Sequence, residues 1–179
     1  YSHQDKKWGD WLHKKLETYQ IPKPIIGNKS EFYDKIPSRL FPIFRDREEL
    51  ATSSELGKQI NEALELSSHL IVICSPRAAN SQWVNQEILE FKRMGKANRI
   101  LCLIVDGEPY GAEKPELGLE ECFPQAIKFK LGSDGNLSSS PAEPIAGDAR
   151  EGKDGKENAL LKLVAGLLGV GFDQLKQRQ

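Results

Sequence analysis

Two unbroken apolar runs, LIVIC at 70–74 and RILCLIV at 99–105, constrain this chain more than any other feature. Both are rich in β-branched residues and lack the polar alternation of a half-solvated strand, so each reads as a strand buried on both faces. A Ser-Pro stop at 75–76 and a helix-periodic stretch from residue 82 stand between them. A strand, a helical crossover and a second strand make a parallel pair with the helix packed on the sheet. That topology also places any ligand site, because open α/β sheets bind beyond the carboxyl ends of their strands.

The flanking segments extend the alternation. Trp8, Trp11, Leu12, Lys15, Leu16 and Tyr19 form a helical stripe over 5–19, ended by Ile-Pro-Lys-Pro at 21–24. Residues 25–38 are polar and irregular. RLFPIF at 39–44 is a strand candidate that Pro42 confines to an edge. The charged run RDREELATSS at 45–54 is a loop, followed by a helix over 55–66 with Leu56, Ile60, Ala63 and Leu64 inward. A last short strand is expected at 127–131. Gly, Ser, Pro and charge dominate 132–154, which reads as a flexible loop. Residues 156–170 are amphipathic and helical, and 173–179 form a polar tail that either continues as helix or leads into another domain. The fold class is α/β, with a mainly parallel sheet and helices on both faces. A strand ahead of Tyr1, missing from the chain, would complete a five-stranded, flavodoxin-like arrangement.

The chain has 179 residues, enough for a single domain with a real core. Its formal net charge of −1 argues against a nucleic-acid surface. No apolar run approaches the roughly 20 residues of a membrane helix. Cys74, Cys102 and Cys122 follow no metal or disulfide spacing, and two lie in apolar runs. They are expected to be reduced core thiols of a cytoplasmic protein. No metal site is expected, since His3, His13 and His69 have no ligand spacing with the cysteines. Glycine-rich phosphate loops and hydrolase elbows are also missing.

Chemistry concentrates after the first apolar run. Ser81 reads as a helix N-cap, and Trp83 and Glu87 follow at i and i+4 on one face. Alone, Glu87 reads as a solvated carboxylate that favours the helix dipole, and Trp83 as a packing residue. Together in a cleft they read as a carboxylate partly desolvated by an indole wall that can stack a flat ring. The run at 45–49 reads either as a self-paired surface segment or as a mobile interaction loop. Asp5 reads as a cap of the first helix, while Ser2 and His3 could face the same cleft as Glu87.

These pieces together resemble the bacterial Toll/interleukin-1 receptor (TIR) domain. The matching stretches are YSHQD at 1–5, LFPIFRDREEL at 40–50, SHLIVICSP at 68–76, SQWVNQEI at 81–88 and the apolar run at 100–105. The likeness covers residues 1–131; 25–36 and 132–154 have no role it explains. It implies the flavodoxin-like fold and one of two activities. Some members are adaptors that assemble through the loop following the second strand. Others cleave NAD⁺ at the nicotinamide–ribose bond, with a catalytic Glu four residues after a Trp on the third helix. Here that Glu is Glu87, and Trp83 shapes the pocket.

By family position Ser2, His3, Phe44, Arg45 and Asp46 would line the pocket, with Arg45 a candidate for the pyrophosphate. NAD⁺ is then substrate, and no cofactor is implied. The resemblance further implies partners in other TIR domains, a fused sensor or repeat domain, and a role as effector or signal-producing module of a larger bacterial immune or signalling protein. The competing expectation is a non-catalytic scaffold for TIR–TIR assembly.

Overall fold

A computed structural model describes residues 1–40, 43–45 and 54–178, with the backbone alone at 54–56. A 3₁₀ turn, His3–Asp5, leads into α1 (Lys6–Thr18), whose Gly9, Leu12 and Leu16 are buried. Helix α2 (Ser54–Leu66) precedes β1 (Leu70–Cys74), and a short α3 (Pro76–Ala79) and α4 (Gln82–Arg93) lead to β2 (Ile100–Ile104). Then follow α5 (Gln125–Lys128), β3 (Phe129–Leu131), β4 (Leu137–Pro141), β5 (Ile145–Asp148), α6 (Gly155–Leu168) and α7 (Phe172–Lys176).

The two apolar runs pair in parallel as expected, Leu70 against Ile100 through Cys74 against Ile104. Their side chains alternate between two cores. Ile71, Ile73, Leu101 and Leu103 face α1 and α6, while Val72, Cys74, Cys102 and Ile104 face α2, α4 and α5. This double covering explains why neither run shows polar alternation. Ile60 and Leu64 turn inward from α2 as expected and Ala63 is half-buried; the Leu56 side chain lies outside the described residues.

Three expectations change. Among the described residues the parallel sheet has three strands, ordered β1-β2-β5. Its third strand comes from the stretch read as a flexible loop: Leu101 opposes Ile145 and Ile104 opposes Asp148. IAGD carries little strand propensity. Gly147 is used for proximity, since a Cβ there would stand 2.7 Å from the Ala159 carbonyl oxygen of α6. The strand expected at 127–131 is shorter and lies elsewhere: β3 pairs antiparallel with β4 in a separate hairpin. Arg39, Leu40 and Ile43–Arg45 join no strand, and residues 41 and 42 lie outside the described residues. A proline in that run removes a ladder donor and restricts its neighbour.

The irregular segment after α1 is also less peripheral than its polarity suggests. Ile21, Ile25, Ile36 and Leu40 are all buried against α1 and α6. The expected polar tail contains α7, anchored by fully buried Leu175. Gly169 ends α6 at φ 69°, the left-handed conformation glycine adopts without cost. All three cysteines are free and buried, and burial pushes the Cys122 thiol up to about 12 and Cys74 up as well. Among the described residues, no helix is long and apolar enough to cross a membrane.

Candidate active site

The end of β1 is built from short-range polar contacts. Ser75, fully buried and extended, accepts from the Ala78 amide at 3.1 Å and so caps α3. Ser81 caps α4 in the same way through the Val84 amide at 3.2 Å, as its sequence position foretold. Asn85 donates back to the Ser81 carbonyl at 2.9 Å, tying α4 to the turn before it. Helix α4 then buries Val84, Ile88 and Phe91.

Glu87 lies on that inward arc and is only 7% exposed, so the solvated-surface reading fails. It lines a cavity of about 620 Å³ that straddles the edge of β1 opposite β2. No strand pairs with this edge among the described residues. The cavity floor is apolar, formed by residues such as Ile60, Leu64, Ile71 and Ile73, and Tyr1, Phe44 and Arg45 stand with Glu87 around it. Trp83 occupies a neighbouring, open pocket of about 540 Å³ with Ser2, Gln4, Arg77, Ser81 and Gln82. It is half-buried and also packs against the α4 core. Its indole Nε1 is buried and meets no hydrogen-bond partner among the described residues.

The sequence-predicted residues therefore divide between two adjoining hollows. Ser2, 8% exposed, joins Trp83; Phe44 and Arg45 join Glu87. Exposed His3 lines neither one, and Asp46 lies outside the described residues. Arg45 is already engaged: its guanidinium contacts Asp10 at 2.7 Å and donates to the Tyr1 phenol at 2.7 Å. Burial alone would lower its pKa, but the bonds to Asp10 and Tyr1 outweigh this and raise it. Asp10 is held below the usual carboxylate range by hydrogen bonds from Lys6 and then Arg45.

Asp5 has a role its position does not reveal. It makes no side-chain cap to α1. Instead its carboxylate, 1% exposed, accepts from Ser75 Oγ at 2.6 Å and from Arg77 at 2.8 and 3.1 Å. Hydrogen bonding to Asp5 is the main reason the Arg77 pKa rises. These partners are separated by 70 and 72 positions, and no local pattern signals such a pairing. Tyr1 and Asp10 were likewise not candidates, because only the folded chain brings them to Arg45. Among the described residues no group of His, Cys, Asp or Glu is arranged to hold a metal ion.

The arrangement suits a specific chemistry. A carboxylate at the rim of an apolar cavity can accept hydroxyl hydrogen bonds and stabilise a developing cation better than one in water. A sheet covered on both faces, with this carboxylate on the helix that follows β1 and a cavity along the open edge of that strand, defines an α/β protein whose site lies at the sheet edge among the described residues. A family model for the TIR domain matches residues 1–130, and the chain belongs to that family. The match ends before β5, so the third strand of the sheet is contributed from beyond it. The chain is also 31% identical over 153 residues to a protein of an Actinoplanes species named NAD(+) hydrolase ApTIR. The matched stretch covers 79% of this chain but 21% of that relative. No solved structure matches the chain significantly.

Proposed function

We propose that this TIR domain cleaves NAD⁺ at the nicotinamide–ribose bond, with Glu87 as its catalytic carboxylate. The observation that carries this reading is the burial of Glu87, one turn after Trp83, in the cavity it shares with Phe44 and Arg45. The likeness to a protein named as an NAD(+) hydrolase supports it. As the C–N bond breaks, its electron pair stays with the pyridine nitrogen. Nicotinamide leaves neutral, so no general acid is required. The ribose becomes oxocarbenium-like, as in glycoside hydrolysis, and a fixed carboxylate stabilises that charge. Water then adds to the anomeric carbon and gives up a proton, yielding ADP-ribose; attack from within the molecule would instead give a cyclic product.

Trp83 supplies a flat wall, and Ser2 a hydroxyl beside it. Arg45 would meet the pyrophosphate by exchanging Asp10 for it, as bidentate guanidinium–phosphate pairing allows. Assembly with other TIR domains, a cytoplasmic location and a place within a larger immune or signalling protein complete the proposal.

The test is nicotinamide release from NAD⁺ across a range of protein concentrations, with Glu87→Gln alongside. Turnover is expected from the wild type, falling by about 100-fold or more in a variant that keeps shape but loses charge. Equal release from both would move the chemistry away from Glu87. No release at any concentration, with self-association intact, would leave the scaffold reading in its place.

A further inference from the structure

The cluster around Asp5 takes no part in the proposed bond cleavage, yet it stands at the wall of the pocket beside Trp83. That pocket has two sides. One is the turn at the chain start, Ser2 and Gln4, which leads into Asp5; the Asp5 amide bonds the Ser2 carbonyl at 2.9 Å. The other is the segment after β1, carrying Arg77, Ser81 and Trp83. Three side-chain bonds across this gap converge on the Asp5 carboxylate: Oδ2 accepts from Ser75 and Oδ1 accepts from two nitrogens of Arg77. The remaining arm of Arg77 reaches Asp106, just beyond β2, at 3.1 Å.

We propose that Asp5, Ser75 and Arg77 form a latch that holds the two sides of this pocket together, making Asp5 and Arg77 positioning residues for ligand binding beside Trp83. The inference rests on reading Trp83 and Glu87 as the NAD⁺ site. Burying an ion pair is a poor way to gain stability, because desolvation offsets much of the attraction. What the pair fixes here is geometry. Helix α3 has only four residues and cannot hold its position unaided. Its cap is Ser75, whose hydroxyl hydrogen is directed by Asp5, and Arg77 lies within it. The body of α4 is secured separately by Val84, Ile88 and Phe91. Breaking the latch therefore loosens the first turn of α4 and the Trp83 wall, while Glu87 stays in place.

The expected signature is a selective loss of binding. Arg77→Met should raise KM for NAD⁺ by about tenfold or more, with kcat changed by less than about threefold. Arg77→Lys should recover part of the loss, since an ammonium can reach Asp5 but cannot span to Asp106 as the guanidinium fork does. Asp5→Asn with Arg77→Met should be no worse than Arg77→Met alone, because both break one unit. Thermal unfolding of each variant shows that the assay reads folded protein. A loss of kcat with unchanged KM, or additive effects of the two substitutions, would overturn the proposal.

A second readout does not depend on turnover. In protein labelled with 5-fluorotryptophan, Arg77→Met should shift or broaden the Trp83 fluorine resonance and leave those of Trp8 and Trp11 in place. An unmoved Trp83 resonance would refute the latch. A wild type that releases no nicotinamide would defeat the NAD⁺ reading alone, since the fluorine spectrum still decides the latch.

Discussion

Replacing Gly147 by Ala tests the least expected part of the fold, because the sign of the effect depends on what 145–148 is. In a flexible loop the change would stabilise the protein by about 0.4–1 kcal/mol, since Ala restricts the unfolded chain. In β5 the added methyl meets Ala159 of α6, 2.7 Å from its carbonyl oxygen and 3.0 Å from its Cα. Both are backbone atoms, so no rotamer change relieves the contact and either the helix or the strand must move. Such overpacking costs about 1–3 kcal/mol, which for a domain of this size lowers Tm by roughly 2–12 °C. Trimming Ala159 to Gly should not rescue the loss, because the opposing atoms remain. Gly57, within α2 and with nothing within 4 Å of its would-be Cβ among the described residues, provides the opposite sign. Ala there should raise stability by about 0.5–1 kcal/mol through helix propensity. Thermal unfolding of both variants is the assay. An unchanged or raised Tm for Gly147→Ala would refute the placement of β5 against α6.

Two further outcomes follow from buried titratable groups. Burial, and then the nearby Arg99 charge, depress His69 from 6.5 to about 4. The unfolded chain therefore binds more protons across that window, and the contribution of His69 to stability is complete above pH 6.5 and lost as pH falls towards 4. The full gap corresponds to about 3.4 kcal/mol, and solvent screening of this half-buried ring reduces it to the order of 1–2 kcal/mol. Denaturant titrations at pH 7 and 4 should show His69→Leu losing less stability than the wild type by that amount; equal losses would refute the assignment. The Cys74 and Cys122 thiols, fully buried and pushed above their ordinary pKa, should react with a disulfide reagent at neutral pH only after denaturation. Rapid modification of either in the native protein would contradict their core placement.

The site was legible wherever its geometry is local. Ser81, Trp83 and Glu87 occupy one cap and one helical turn, so spacing placed them together on α4, but it did not show that Trp83 and Glu87 line different hollows. What spacing left open was whether Glu87 faces water or the interior. That depended on how α4 rolls on the sheet, which Val84, Ile88 and Phe91 decide by burial. His3 shows the converse: adjacent in sequence to Ser2, it lines neither hollow, because a 3₁₀ turn sends neighbouring side chains in different directions.

The sequence by itself determined β1, α4 and β2, their parallel order and their caps, because apolar periodicity and hydroxyl placement act over a few residues. Tertiary structure alone decided that IAGD is a strand, that Arg45 is shared between Asp10 and Tyr1, and that Asp5 binds Ser75 and Arg77 rather than capping its own helix. In each case a weak local preference is overridden by a partner distant along the chain. A short Gly-containing strand is selected by a neighbouring edge and a helix that needs close approach. A carboxylate shielded from water is held by whichever donors the fold brings within reach.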